Sequence, residues 1–313
     1  DVFGEDPTVN LLQEKAASLF KMEAALFMPS GTMANEVAVK THTQPGDEVI
    51  TDDRSHIFHF ESGAAGLLSG VNIFTLPGKN GIITAEQIKR AIRPDGIQYA
   101  ESRLISLENT HNYGGGSIFP LPEIEKIASL AREHNIRMHL DGARIFNAVV
   151  ASGIAQYKYA QYFDSAAFCL SKGLGAPVGS VLLGTAEFID RARKYRKIFG
   201  GGMRQVGILA AAGIYALDNN INRLAEDHKN AKSLAVALNE SKTFEINPDE
   251  IKTNIIIAGI SGTNFSADRA AAKLAECGIL VFPFGYNSIR AVTHLDVTSE
   301  DIAEACDRIA AYF

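Results

Sequence analysis

The chain has 313 residues, which is long enough for one large domain and a smaller second one. Hydrophobic residues make up 46% and charged residues 21%, values close to those of soluble globular proteins, so we do not expect a disordered chain. The formal charge of -6 comes from 36 acidic and 30 basic residues spread along the sequence. This balance predicts neither a nucleic-acid partner nor an anionic membrane partner and favours a small molecule.

The cysteines and the apolar stretches indicate a cytoplasmic protein. Cys169, Cys277 and Cys306 have neither paired nor metal-type spacing, and reduced thiols fit them best. The longest apolar stretch, residues 208–217, is too short to cross a bilayer, and no signal peptide opens the chain. Because the chain begins with Asp1 rather than Met, we expect a further N-terminal segment.

Short apolar runs alternate with amphipathic stretches as far as about residue 200. This pattern predicts parallel strands joined by crossover helices, in one three-layer α/β domain over residues 1–220. Thr84 with Gln87 has capping-box spacing, and Pro120 with Pro122 marks another helix start. The predicted strands are Ala25–Met28, Glu48–Thr51, Val71–Leu76, Arg103–Leu107, Arg137–Leu140, Ser165–Leu170 and Ser180–Leu183.

A change in the order of elements predicts a smaller α+β domain over residues 221–313. It begins with one long helix over residues 221–240. A final helix is introduced by Thr298, with Asp301 at its third position. Between them we expect the strands Asn254–Ile260, Ile279–Phe282 and Ile289–Thr293 and the helix Ala267–Glu276.

Two predicted strands end in side chains suited to cofactor chemistry. Lys172 follows one strand within a Gly-rich loop, and Asp141 ends another. Ligands of open α/β sheets lie outside the carboxyl ends of the strands, so these residues can face one pocket. Pyridoxal phosphate (PLP) requires such a pair, a lysine for the Schiff base and an acid for the pyridine nitrogen. Taken singly, Asp141 fits a loop cap and Lys172 a solvated lysine equally well.

Three Gly-containing loops are candidates for anion binding. Residues 29–35 follow a strand and open a helix, so backbone N–H groups near Gly31 and the Thr32 hydroxyl can meet a phosphate. The same segment is also typical of a simple helix cap. The glycines of residues 200–204 and 114–116 can equally end a helix or form a turn.

The histidines are ambiguous, and several enzyme classes are excluded. His111 lies beyond a predicted strand, and His56 and His59 lie in a short segment; each can be an ordinary loop residue. The sequence has no zinc-type spacing, so we expect no metal. It also lacks a serine-hydrolase elbow, a P-loop and a dinucleotide fingerprint.

With these residues assembled, the sequence resembles the low-specificity L-threonine aldolases over its whole length. The resemblance implies the PLP-dependent transferase-like fold (fold type I) and cleavage of L-threonine or L-allo-threonine to glycine and acetaldehyde. The segments that carry it are Gly4–Thr8, Ser30–Asn35, Leu107–Asn112, His139–Arg144, Leu170–Leu174, Gly200–Gln205, and Arg290 with Thr293–His294.

The resemblance also implies roles for individual residues. In the family pattern, Lys172 is the Schiff-base lysine and Asp141 the partner of the ring nitrogen. His56 stacks on the ring, and His111 lies near the substrate hydroxyl. The remaining implied contacts are Gly31, Thr32 and Arg204 to the phosphate, Arg144 and Arg290 to the substrate carboxylate, and Lys197 toward the site of a neighbouring subunit in a homodimer or homotetramer.

The sequence also departs from the family pattern. The Ser/Thr-bearing segment that normally opens the family is absent, and Phe3 and Phe60 replace tyrosines of relatives, which leaves the polar lining of the substrate pocket open. One alternative function is another PLP lyase of the same fold, such as a β-eliminating enzyme. Another is a phosphate-binding protein without catalysis, in which Lys172 has no role.

Overall fold

The computed structural model describes residues 1–262 and 266–313. These residues form two compact units, residues 1–114 with 118–221 and residues 115–117 with 222–313. The predicted domain boundary after residue 220 stays a prediction. In the part of the chain that the model describes, no helix has both the length and the apolar character needed to span a bilayer.

The first unit is built on a seven-stranded sheet. Its strands are β1 (Ala24–Met28), β2 (Glu48–Asp52), β3 (Asn72–Leu76), β4 (Ser102–Glu108), β5 (Arg137–Asp141), β6 (Ser165–Cys169) and β7 (Ser180–Gly184), in the order β1-β7-β6-β5-β4-β2-β3. The neighbours from β6 to β3 pair in parallel. The seven strands match the predicted runs within one residue at each end.

Strand β7 runs against the other strands. It pairs antiparallel with both β6 and β1. Only a loop joins β6 to β7, and a parallel connection requires a crossover of about a dozen residues or more. The sheet is therefore mainly parallel, as predicted, with one reversed strand that the alternating pattern did not indicate.

Helices cover both faces of this sheet. They are α1 (Pro7–Phe20), α2 (Gly31–His42), α3 (His56–His59), α4 (Ala85–Ala91), α5 (Leu121–Glu133), α6 (Ile145–Ser152), α7 (Gln156–Ala160), α8 (Ala186–Ile198) and α9 (Gly207–Asn219), with a π-helical turn at Ala65–Ser69. Ala167 packs with α2 and α8, whereas its neighbour Phe168 stacks on Phe20 of α1, with ring centroids 5.1 Å apart. Successive strand residues point to opposite faces, so the unit has three layers.

The second unit is an α+β arrangement. Its antiparallel sheet has the order β10-β11-β9-β8, with β8 (Phe244–Glu245), β9 (Ile255–Ile260), β10 (Phe282–Phe284) and β11 (Ser288–Val292). The helices α10 (Leu224–Glu240), α11 (Ala267–Glu276) and α12 (Ser299–Tyr312) share one apolar core with this sheet, and a 3-10 turn covers Pro248–Glu250. The predicted strand at residues 279–282 instead begins at Phe282, and the predicted Thr298–Asp301 capping box is present.

Candidate active site

A cavity of about 170 Å³ lies at the carboxyl ends of β5 and β6 and the start of α2. This is the edge of a parallel sheet where ligands are expected. Five of the predicted site residues line it, namely Gly31, Thr32, His56, Asp141 and Lys172. The other lining residues are Pro29, Ser30, Asn35, Ala143, Cys169 and Ser171.

The start of α2 forms one wall of the cavity. The Ser30 hydroxyl caps the helix by accepting a hydrogen bond from the Met33 N–H at 3.1 Å. The first N–H groups of a helix have no partner within it, so those of this turn can bind an anion. A Cβ on Gly31 would lie 2.9 Å from the Cys169 sulfur, which explains the glycine at this position.

Asp141, at the end of β5, is buried and ionised. Its Oδ1 accepts a hydrogen bond from the Ala143 N–H at 3.1 Å, and its Oδ2 accepts one from the Asn35 amide at 2.8 Å. Burial alone would raise the pKa of this carboxyl, but the charges of Lys172 and His56 and the Asn35 hydrogen bond together lower it. Asp141 is therefore an acceptor at neutral pH.

His56 begins α3 and is anchored by two carboxylates. Its backbone N–H donates to Glu108 at 2.9 Å, and its ring Nδ1 lies 2.8 Å from Oε1 of Glu61. Burial would lower the pKa of the ring, but the hydrogen bond to Glu61 and the charge of Asp141 raise it. The Nδ1–H proton is thus directed at Glu61.

Glu61 is paired with a second buried glutamate, Glu36 of α2. Both side chains are almost inaccessible to solvent, at 1% for Glu36 and 2% for Glu61. Burial, the charge of Glu61 and a hydrogen bond to it raise the pKa of Glu36 to about 9. Glu36 therefore keeps its proton at neutral pH.

The structure places His111 away from the cavity lining. Its side chain is fully buried, with Nε2 3.2 Å from Oδ1 of Asp52 and Nδ1 accepting from the Gly114 N–H at 3.0 Å. Gly81 packs directly on the ring, where a Cβ would lie 2.1 Å from it. Burial would lower the pKa of His111, but Glu108 and Asp52 raise it. Its predicted contact with the substrate hydroxyl stays a prediction.

The predicted arginine and lysine contacts lie outside this lining. Arg144 is half-buried three residues after Asp141, with Nη1 3.5 Å from Oδ1 of Asn112. Burial lowers the pKa of its guanidinium, although Cys169, Glu108 and Asp141 oppose this effect. Exposed Lys197 lies on the basic surface of α8, and exposed Arg204 stands over the Phe3 ring at 5.2 Å. Arg290 is half-buried on β11 of the second unit.

Sequence reasoning missed three polar residues that organise the cavity, namely Asn35, Glu36 and Glu61. Asn35 and Glu36 interrupt the apolar residues of α2 in the sequence, and the structure shows that both are buried. Buried polar side chains require partners, which predicts a network around them. Glu61 carried no comparable signal, since it lies in a short irregular segment.

The chain is similar in sequence to known proteins over its whole length. Residues 1–260 match the model of the beta-eliminating lyase family. The low specificity L-threonine aldolase of Escherichia coli K12 is 44% identical over all of this chain and 91% of its own length. Low-specificity L-threonine aldolase 1 of Arabidopsis thaliana is 42% identical over 96% of this chain and 86% of its own.

A solved structure confirms the fold prediction. The threonine aldolase of Leishmania major superposes with a TM-score of 0.80 at 20% identity, covering 97% of this chain and 88% of that chain. Similarity at this level of identity supports the fold, whereas the family follows from the sequence matches. The chain belongs to the beta-eliminating lyase family and, within it, to the low-specificity L-threonine aldolases.

Proposed function

We infer that the protein is a PLP-dependent carbon–carbon lyase that cleaves L-threonine and L-allo-threonine to glycine and acetaldehyde. One observation carries this inference. In a chain of the threonine aldolase family, one cavity brings together Lys172, the ionised Asp141, His56 and the start of α2. A lysine amine, a carboxylate, an aromatic ring and an anion-binding helix end are the groups that PLP requires.

The residues present fit this cofactor. The start of α2 at Gly31 and Thr32 suits the phosphate, because the N–H groups there form the positive end of the helix dipole at the cavity. Gly31 has no side chain and leaves room for close approach. Asp141 is held ionised, as a partner of a protonated ring nitrogen must be. Lys172 lines the same cavity and supplies the amine for covalent attachment.

PLP, when bound, accepts the electron pair released at Cα of the amino acid. Asp141 would hold the proton on the ring nitrogen and so keep the ring electron-poor. His56, held by Glu61, would support the face of the ring. Lys172 would supply the amine that holds the cofactor and, as a free amine, would move the proton at Cα of the substrate.

We propose that Arg144 and Arg290 receive the substrate carboxylate, since a guanidinium can pair bidentately with it. Holding the carboxylate sets which bond at Cα is aligned for cleavage. When Cα–Cβ breaks, the hydroxyl loses its proton, its oxygen becomes the acetaldehyde carbonyl, and Cα gains a proton to give glycine. His111 is buried, so we propose that it receives the hydroxyl proton through water.

We further propose a cytoplasmic homodimer or homotetramer in which Lys197 and Arg204 complete the site of a neighbouring subunit. Both side chains are exposed, and neither lines the cavity of its own chain. A phosphate contact from Arg204 and a substrate contact from Lys197 would therefore come from the next subunit. All three cysteines are free, which suits a reducing compartment.

Absorbance and product analysis test this function. The purified protein with PLP should show a visible band that borohydride removes, and it should release acetaldehyde and glycine from L-threonine. Release of a 2-oxo acid and ammonia from serine, without acetaldehyde from threonine, would indicate the β-eliminating alternative. A colourless protein that stays inactive after PLP is added would overturn the proposal in favour of a phosphate-binding protein.

A further inference from the structure

Asn35 lines the cavity and lies at the centre of a hydrogen-bond network that extends away from it. Its single amide nitrogen contacts two carboxylates, Oδ2 of Asp141 and Oε1 of Glu61, each at 2.8 Å. The same Glu61 oxygen lies 2.8 Å from Nδ1 of His56. The carboxylate proposed for the ring nitrogen and the histidine proposed for the ring face are therefore joined through one side chain.

The orientation of the Asn35 amide follows from its neighbours. Ionised Asp141 can only accept, so the NH2 group of Asn35 must face it and Oδ1 must face His139. His139 is buried and neutral, since burial lowers its pKa to about 4. Its Nε2 therefore carries the proton and donates to Asn35 Oδ1 at 3.2 Å.

The same reasoning extends away from the cavity. With Nε2 protonated, Nδ1 of His139 is an acceptor, and the Ser165 hydroxyl 2.8 Å away must donate to it. The Ser165 oxygen then accepts from Nε2 of His42, also at 2.8 Å. This chain, His42–Ser165–His139–Asn35, has a single direction of donation, and it ends at Asp141 and Glu61.

We propose that Asn35 is a positioning residue of the cofactor site, whose amide holds the Asp141 carboxylate and, by way of Glu61, the His56 ring in one fixed arrangement. This inference rests on the proposed function for its link to the cofactor. One ring nitrogen of His56 and one carboxylate oxygen each of Glu61 and Asp141 lie within 4.8 Å of one another. Two carboxylates this close repel each other, and the two N–H bonds of Asn35 offset the repulsion without adding a charge.

Removing this donor should make Asp141 bind a proton more tightly. In Asn35→Leu, the affinity of Asp141 for a proton should rise roughly tenfold to a hundredfold, the worth of one hydrogen bond to a charged group. The groups that face Asp141, namely Lys172, His56 and His139, are retained in this variant. Asn35→Asp keeps the shape of the side chain but loses the NH2 donors and adds a carboxyl next to Asp141, so it should raise the proton affinity of Asp141 at least as far.

The carbon-13 NMR titration of the Asp141 carboxyl tests this in the cofactor-free protein, with Asp141→Asn to assign the signal. Asn230→Leu is a matched control, because Asn230 is also 2% exposed but lies in the second unit. A rise of tenfold or more in the proton affinity of Asp141 in both Asn35 variants, with no rise in Asn230→Leu, supports the inference. An unchanged Asp141 titration, or an equal shift in the control, would overturn it.

A second readout uses nitrogen-15-labelled PLP. The ring nitrogen should be protonated in the parent protein, and its signal should move toward the unprotonated value in Asn35→Leu, because the proton moves onto the more basic carboxylate. If Asp141 titrates as predicted but the parent does not bind PLP, the proposed function fails while the contact network stands. If PLP binds and its ring nitrogen signal is the same in parent and variant, the positioning role fails.

Discussion

The buried pair Glu36 and Glu61 makes a quantitative prediction about stability. The pKa of Glu36 is raised from 4.5 to about 9 in the folded protein. Between these values the folded state holds one proton that the unfolded chain releases, so the free energy of unfolding falls as pH rises. One proton corresponds to about 1.4 kcal/mol per pH unit.

Glu36→Gln should remove this dependence. A glutamine has no proton to lose, and it matches the shape of a protonated glutamate. As pH rises, the free energy of unfolding of the variant should therefore increase relative to that of the parent. The increase should be about 1.4 kcal/mol per pH unit, or about 3 kcal/mol between pH 6 and pH 8. Comparing the two proteins cancels the contributions of the buried histidines, which titrate in both.

Urea unfolding of the cofactor-free protein, at one protein concentration and several pH values, measures this difference. Glu125→Gln is the matched control, since Glu125 is an exposed residue of α5 and its loss should leave the slope unchanged. A difference between Glu36→Gln and the parent that does not vary with pH would show that Glu36 is ionised in the folded state, and the reasoning would be refuted.

Three further changes test the proposed site. Lys172→Ala should abolish the visible band and lower turnover at least a thousandfold, because the amine for covalent attachment is lost; absorbance spectra with added PLP check this. Asp141→Ala should lower kcat roughly a hundredfold or more while PLP binding falls much less, as a PLP titration beside steady-state kinetics will show. Arg290→Ala should lower kcat/KM for threonine roughly tenfold to more than a hundredfold, with partial recovery in Arg290→Lys, because ammonium lacks the planar fork. Parent kcat/KM in Arg290→Ala would exclude it as a carboxylate anchor.

Much of the fold and the centre of the site could be predicted because their signals are local. Each strand of the first unit is a short apolar run with a clear end, and a residue at the end of a strand lies at a known edge of the sheet. This is why the sequence predicts that Asp141 and Lys172 face one pocket, and both residues line the same cavity. The α2 start likewise has its Ser30 cap and Gly31 in sequence.

The rest depended on contacts between distant parts of the chain. Asn35 and Asp141 are 106 residues apart, and His42 and Ser165 are 123 apart, so no spacing rule connects them. The reversed direction of β7 follows from the loop before it rather than from its composition. The burial of His111 under Gly81 requires two loops to meet, which the sequence around either residue does not indicate.

Helix α2 carries both Gly31, at the proposed phosphate site, and Asn35, behind the proposed ring-nitrogen partner. Four residues of α-helix advance by about 6 Å along the axis, a distance that side-chain motion does not change. The helix would therefore hold the proposed phosphate site and the Asn35–Asp141 hydrogen bond at a fixed separation. A substitution that shifts α2 along its axis should disturb both contacts at once.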